Sequence, residues 1–122
     1  MDLEALHRYL MSKRGTVEER PFASELPVYK VMGKMFALLW AEDTPPRLNL
    51  KCDPFHAELL REAFPAVTPG YHMNKRHWNT IALDGSVPDE DLKAMIDESY
   101  DLVVSSLTRA ARRKLDALAG SG

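Results

Sequence analysis

Hydrophobic and polar residues recur with distinct periods along the chain, and these periods predict its elements. Apolar residues at helical spacing predict a first helix over Leu3–Lys13, which Gly15 ends. Strand-like segments follow at 16–20, 28–32 and 35–41. The last of these is apolar on both faces, which indicates a central strand covered by other elements.

The segment Arg47–Cys52 alternates strictly between polar and apolar residues, as a strand with one buried face does. Its polar positions, Asn49 among them, should lie on a partly solvated face of the sheet. Asp53 and Pro54 predict the start of a second helix, because aspartate accepts hydrogen bonds from free N–H groups and proline suits the first helical position. We expect this helix to bury an apolar face formed by Phe55, Leu59, Leu60 and Phe64.

The second half of the chain predicts further strands and one long helix. We expect a short strand at Tyr71–His72, a turn over 73–76 and a strand over 77–83. A final helix should run from Pro88 to about Leu115, with acidic residues at its positive N-terminal end. The residues after it, 116–122, are expected to form a disordered tail.

These elements predict an α+β fold of two layers in the order α-β(3-4)-α-β(2)-α. Short connections between consecutive strands favour an antiparallel sheet, and the amphipathic helices should cover one of its faces. The length of 122 residues is typical of one domain, which we place over residues 1–115.

Composition and charge narrow the functional classes. There is no apolar run long enough to span a membrane and no signal-peptide pattern, so a cytoplasmic protein without a membrane partner is expected. The single cysteine, Cys52, excludes an internal disulfide and suits a reducing compartment. The net charge of −2 leaves no overall basic footprint for nucleic acid. Any binding to phosphates must therefore depend on a local positive patch.

One short segment combines basic and aromatic residues: Lys75, Arg76, His77 and Trp78. Lysine and arginine can neutralise phosphates, and tryptophan can stack on bases, so this segment is a candidate nucleic-acid contact. The alternative is a solvated turn with idle charges, beside a tryptophan that simply packs into the sheet.

Further lysines are candidate contacts, whereas signs of catalysis are weak. Lys51 precedes a helix start where an anion could bind, and strand parity allows Lys34 to share a sheet surface with it. Cys52 and His56 are one helical turn apart, which makes a dyad conceivable, although a buried structural thiol is the favoured interpretation. The histidines lack the ligand spacing of a metal site, and no glycine-rich phosphate loop exists. We therefore expect no cofactor and no metal.

Five motifs occur in an order that resembles the MmcQ/YjbR family. They are Gly33–Ala37, Leu50–Pro54, Tyr71–Trp78, Leu83–Gly85 and Ser99–Tyr100, and the resemblance extends from about residue 4 to residue 115. It implies a two-layer fold like that of the secretion-chaperone class, α-β(3)-α-β(2)-α. It also implies DNA binding through a double-wing arrangement in a small bacterial cytoplasmic protein, and it supplies no catalytic residues.

The resemblance indicates which residues are candidate DNA contacts, and two hypotheses for the function of the protein remain. The family's shared positions fall on Lys34, Lys51, Tyr71, Lys75, Trp78 and Tyr100. The candidate DNA contacts are Lys34, Lys51, Lys75, Arg76, His77 and Trp78. The first hypothesis is a DNA-binding accessory domain, and the alternative is a protein- or peptide-binding module, either a monomer or a weak dimer. An enzyme is not expected.

Overall fold

The computed structural model of the chain describes residues 1–21 and 26–118. It opens with helix α1 (Leu3–Met11), whose buried residues are Leu6 and Leu10. The side chain of Asp2 caps this helix by accepting a hydrogen bond from the Ala5 N–H at 2.7 Å. The helical spacing of the leucines therefore identified α1, and the observed helix ends two residues before the expected boundary.

The strands are β1 (Thr16–Glu19), β2 (Val28–Val31), β3 (Lys34–Trp40), β4 (Arg47–Lys51), β5 (Val67–Pro69) and β6 (Trp78–Ala82). They form one sheet in the order β1-β2-β3-β4-β6-β5, and every neighbouring pair is antiparallel. Met32 and Gly33 join β2 to β3 with φ angles of 50° and 81°, the positive values that a tight type I′ hairpin turn requires. The predicted antiparallel sheet is confirmed.

Three further helices complete the fold: α2 (Pro54–Ala63), α3 (Asp89–Ser105) and α4 (Arg109–Ala117). Buried residues of the helices pack with one face of the sheet in a single core, which includes Leu6, Leu10, Tyr29, Phe36, Leu39, Leu48, Leu50, Ile81, Leu92, Ile96 and Leu115. This arrangement confirms the expected two-layer α+β architecture. Across residues 1–21 and 26–118, no helix is both long and apolar enough to cross a membrane.

The prediction of a single long helix at the C-terminal end is wrong. The chain leaves α3 at Ser106 and starts α4 after Thr108, whose hydroxyl accepts a hydrogen bond from the Ala111 N–H at 3.1 Å. This local N-cap interrupts the helix although the apolar period continues through it. Helix α4 also includes Asp116, which was assigned to the disordered tail, and residues 119–122 of that tail lie outside the described residues.

The predicted apolar face of α2 is only half correct. Leu60 and Phe64 pack against the core, but Phe55 is 80% exposed and Leu59 is 62% exposed. The buried residue of the helix is Ala57. An α-helix turns by about 100° per residue, so Phe55 and Leu59 point about 140° away from Leu60 and Phe64. One helix therefore cannot pack both pairs against the same sheet.

The short strand predicted at Tyr71–His72 is also wrong. The strand that pairs with the outer edge of β6 is β5 (Val67–Pro69), which precedes the predicted segment. His72 has a φ angle of 57°, which does not belong to an extended strand. The Tyr71 N–H donates to the side-chain hydroxyl of Thr80 at 2.8 Å and not to a backbone carbonyl of β6. The chain therefore leaves the sheet at Gly70.

Candidate nucleic-acid interface

Most of the predicted contact residues gather at one end of the sheet. Lys51 is the last residue of β4 and Trp78 the first residue of β6, and the two are direct cross-strand partners. The segment Gly70–His77, here named the 70–77 loop, connects β5 to Trp78 at this same end. Its Lys75 and Arg76 are exposed. The fold thus brings residues 51 and 75–78 together, although 23 residues separate Lys51 from the second group.

Side chains on the sheet face that lacks the helices hold the start of this loop. The Asn49 amide donates to the Tyr71 carbonyl at 3.0 Å, and its oxygen accepts from the Thr80 hydroxyl at 2.6 Å. The same hydroxyl accepts from the Tyr71 N–H at 2.8 Å. Asn49 is fully buried, so its expected position on a partly solvated face is wrong. The alternation placed it on the correct side of the strand, but that side is covered by the loop.

Arg61 of α2 holds the other end of the loop from the helix side. Its Nε donates to Oδ1 of buried Asn79 at 2.7 Å, and one of its terminal amino groups donates to the Lys75 and Trp78 carbonyls. Asn79 also donates to the Ala57 carbonyl of α2 at 3.4 Å. A charged donor satisfying several backbone carbonyls makes hydrogen bonds stronger than neutral ones. The backbone that presents Lys75 is therefore fixed by a residue from another element.

Short-range bonds complete the loop. The Asn74 side chain accepts from the Arg76 N–H at 3.0 Å, which is an Asx-type turn. Lys75 Nζ donates to the Gly70 carbonyl at 3.2 Å, while the lysine itself stays exposed. The Cys52 N–H donates to the His77 carbonyl at 2.8 Å, which ties the loop to the segment after β4. The loop presents its basic side chains from a largely hydrogen-bonded backbone.

Tyr71 forms an aromatic cluster at the Arg47 end of β4. Its ring lies 4.1 Å from the Arg47 guanidinium carbon and makes an edge contact with Trp40 at 5.3 Å between centroids. The Asp43 carboxylate accepts two hydrogen bonds from Arg47, at 2.6 and 2.8 Å, and they raise the pKa of that guanidinium. The charge of Arg47 is thereby neutralised within the protein, and we do not count it among the contact candidates.

Two predicted contacts occupy different surroundings from the exposed loop cations. Lys34 lies at the start of β3, where its Nζ donates to the Ser106 carbonyl at 3.1 Å and to the Ser106 hydroxyl at 3.3 Å. It therefore binds the C-terminal end of α3 on the helix side of the sheet, which its positive charge favours. Trp78 is half-buried, so it is neither fully packed into the sheet nor fully available for stacking on a base. It lies directly across from Lys51 in the β4–β6 pair.

The remaining basic groups at this end of the sheet have no acidic partners. Elsewhere, Lys13, Lys30 and Arg47 form ion pairs with nearby carboxylates. Within the ranges 1–21 and 26–118, no carboxylate lies within the 4.0 Å ion-pair distance of the four residues that we name the basic patch: Lys51, Lys75, Arg76 and His77. The patch is a local concentration of positive charge on a chain whose net charge is −2.

Some residues that organise the interface could not be found by sequence reasoning. Arg61 had no local signal, because it lies on a helix and its partners come from a later hairpin. Thr80 occupies an ordinary strand position, and its partner Asn49 is 31 residues away. The alternation of β4 placed Asn49 among its outward-facing polar residues and therefore gave no sign that it is buried.

The architecture defines a small two-layer α+β protein with an antiparallel sheet and a basic loop at one sheet end. The family model described as YjbR matches residues 11–102, and the chain belongs to this family. The resemblance drawn from the sequence motifs is thereby confirmed.

Relatives and solved structures agree with this assignment. The uncharacterized protein YjbR of Escherichia coli K12 is 35% identical over 115 residues, covering 94% of this chain and 98% of the relative. YbdF of Escherichia coli O157:H7 is 33% identical over 121 residues, with the same coverage of 94% and 98%. The crystal structure of Deinococcus radiodurans protein DR2400, with a DUF419 domain, is 39% identical at a TM-score of 0.88, covering 93% of this chain and 87% of that one. A Pseudomonas syringae crystal structure is 28% identical at a TM-score of 0.73, covering 84% and 98%.

Proposed function

We propose that this chain is a cytoplasmic, non-enzymatic protein that binds duplex DNA through its basic patch. The observation that carries the proposal is the set of basic side chains without acidic partners at one sheet end, presented by a backbone that Asn49 and Arg61 hold from opposite faces. Prepositioned cations lose little conformational freedom when they contact phosphates. In the double-wing arrangement that the family resemblance implies, the 70–77 loop is one wing.

The small number of cations limits the strength of this binding. Each neutralised phosphate contributes about −0.9 to the slope of log K against log salt concentration. Contacts from Lys51, Lys75 and Arg76 would give a slope of about −3, far shallower than that of proteins with extensive basic surfaces. The proposal therefore describes moderate, salt-sensitive affinity that is suited to an accessory protein.

The test measures DNA affinity at several salt concentrations for the native protein and for the double variant Lys75→Ala/Arg76→Ala. Fluorescence anisotropy with a labelled duplex gives the affinity at each salt concentration and, from these values, the slope of log K against log salt concentration. The native slope should be about −3, and the variant slope about −1, because two phosphate contacts are lost. The free energy of unfolding should change by no more than about 0.5 kcal/mol, since both side chains are exposed.

A matched control changes the net charge equally at a distant surface. Arg113 and Lys114 are exposed on α4, whose Leu115 packs near Gly15 at the β1 side of the sheet. The variant Arg113→Ala/Lys114→Ala should keep the native slope if the basic patch is the contact surface. Absence of binding at low salt would reject DNA binding altogether. Equal weakening by the two double variants would reject the patch and leave only general charge attraction.

Trp78 supplies an independent probe of contact at the same surface. The chain has two tryptophans, and Trp40 lies in the aromatic cluster. In a Trp40→Phe background, fluorescence reports Trp78 alone. Duplex DNA should change this fluorescence in proportion to occupancy measured by anisotropy. Binding without any fluorescence change would show that the DNA does not approach Trp78, and would move the contact away from the β4–β6 end.

The state of Cys52 supports a role without catalysis. Burial, together with the adjacent Glu98 carboxylate, raises the pKa of the Cys52 thiol to about 12. A nucleophilic cysteine requires the opposite shift, because the thiolate is the reactive form. The Cys52 thiol is therefore not poised for nucleophilic attack, which agrees with the proposed binding role.

Protein binding is a second candidate, favoured by the exposed side chains of Phe55 and Leu59 on α2. The two lie one helical turn apart, so they form a continuous apolar strip on a solvated helix face. The simplest partner is a second copy of the chain, in a weak dimer. Sedimentation at rising protein concentration should then show self-association that the Phe55→Ser/Leu59→Ser variant loses. A native protein that stays monomeric throughout would reject the dimer.

A further inference from the structure

Three side chains with metal-binding donor atoms converge beside the start of α2. Cys52 follows β4, His56 lies in the first turn of α2, and Glu98 lies on α3. The Cys52 sulfur is 3.8 Å from His56 Nδ1 and 3.3 Å from Glu98 Oε2. His56 Nδ1 is 2.5 Å from Glu98 Oε1. The spacing of histidine and cysteine residues in the sequence predicts no metal site. That spacing does not reveal Glu98, which is 42 residues from His56 and is brought beside it by the fold.

The geometry does not suit a catalytic triad. In a nucleophilic triad, one imidazole nitrogen faces the nucleophile and the other faces the carboxylate. Here the same atom, His56 Nδ1, faces both the sulfur and the carboxylate. The Cys52 thiol donates to Glu98 Oε2 at 3.3 Å, whereas its contact with His56 Nδ1 is longer, at 3.8 Å. The three groups therefore surround a common point and do not form a relay.

We propose that Cys52, His56 and Glu98 form a binding site for a divalent transition-metal ion such as Zn²⁺. Thiolate, imidazole and carboxylate are the ligand types that zinc accepts, with bonds of about 2.0–2.3 Å. A tetrahedral site with such bonds separates its ligand atoms by about 3.3–3.7 Å. The donor atoms here all lie within 4.8 Å of one another, so small side-chain rotations satisfy the tetrahedral distances.

The surroundings orient the ligands and leave one position accessible. The Asp53 N–H donates to Glu98 Oε2 at 3.2 Å, and the Asp53 carboxylate accepts from the His56 N–H at 3.2 Å. The first of these bonds orients the Glu98 carboxylate, and the second fixes the helix backbone that carries His56. The Cys52 sulfur is buried, whereas the His56 side chain is 46% exposed, so the site opens to solvent on the histidine side. Three protein ligands and an exchangeable water would complete a tetrahedron.

Cysteine binds a metal ion as the thiolate, so metal binding must displace the thiol proton. A bound cation would compensate the Glu98 carboxylate, whose Oε2 lies 3.3 Å from the Cys52 sulfur, and would stabilise the thiolate.

The experiment uses the full-length, untagged protein after treatment with a chelator. Titration with Co²⁺ should produce the near-ultraviolet charge-transfer absorption of a cobalt–thiolate bond at one ion per chain, and Zn²⁺ should abolish it by competition. Calorimetry with Zn²⁺ should show saturable binding at one ion per chain. Absence of saturable binding of either ion would overturn the proposal.

Variants test each ligand separately. Cys52→Ser should remove the charge-transfer absorption, and His56→Ala and Glu98→Gln should each weaken Zn²⁺ binding at least about tenfold. Glu98→Gln keeps an oxygen that can accept from the Asp53 N–H, and His56 is exposed, so neither change should prevent folding, which circular dichroism checks. His72→Ala serves as the control, because this histidine is exposed and lies outside the site. Binding that survives the His56 and Glu98 variants, or that is lost equally in the control, would reject the site.

Discussion

Ser99 fills a gap between two strands, and its replacement tests how α3 holds the sheet. Its side chain is completely buried. The hydroxyl accepts a hydrogen bond from the Lys51 N–H at 2.9 Å and donates one to the Phe36 carbonyl at 2.6 Å. The pairing of β3 with β4 at this end stops at Ala37 and Leu50. The serine hydroxyl thus satisfies the strand groups beyond the last pair.

The expected cost of Ser99→Ala follows from these two bonds. Alanine leaves one backbone N–H and one backbone carbonyl without a partner, and each such buried group costs about 1–3 kcal/mol. The better helix propensity of alanine offsets about 0.5 kcal/mol. We therefore expect the free energy of unfolding to fall by about 2–5 kcal/mol, a large fraction of the stability of a small domain.

Urea unfolding followed by circular dichroism measures this loss, and the m value should stay unchanged if the native fold is kept. Ser105→Ala is the matched control. Its hydroxyl is exposed on the same helix and donates only to the Leu102 carbonyl at 2.8 Å, so the change should stay within about 0.5 kcal/mol. If the two variants lose the same stability, or if Ser99→Ala loses less than about 1 kcal/mol, the bridging role is refuted.

Two further predictions concern backbone geometry and loop order. Gly15→Ala should lower the free energy of unfolding more than Gly85→Ala, although both glycines have positive φ. A β-carbon at Gly15 would lie 2.7 Å from Leu115 Cδ1. At Gly85, none of the described atoms would lie within 4 Å of a β-carbon. Thermal unfolding of the two variants compares the costs. Arg61→Ala should accelerate amide hydrogen exchange over residues 75–78 while leaving exchange in α3 unchanged, since it removes the bonds that hold that backbone. Uniform acceleration would instead indicate global destabilisation.

Local patterns predicted most of the fold because they report burial directly. The alternation of Arg47–Cys52 gave the correct strand and the correct inward side. The Asp53–Pro54 start of α2 was correct because a cap depends only on its neighbours: Asp53 accepts from the Phe55 and His56 N–H groups. The break before α4 was missed because the apolar period masked a second local signal, the Thr108 cap.

The candidate sites depended more on contacts between distant residues. The basic loop was visible because its cations are consecutive in sequence, but the covering of Asn49 required knowledge of where that loop folds. The role of Lys34 could not be inferred, since its partner Ser106 is 72 residues away. Cys52 and His56 were noticed as a pair, yet the third member of their cluster, Glu98, came from α3.

Three residues outside the 70–77 loop join its backbone to the rest of the fold. Asn49, Arg61 and Thr80 hold its backbone through carbonyl and N–H groups, which every amino acid except proline supplies in full. Replacing the side chains at positions 75 and 76 should therefore have little effect on the free energy of unfolding. Substitutions at these two positions should therefore change the surface without loss of the fold. For the same reason it is a suitable place to display randomised residues when new binding specificities are selected from a library.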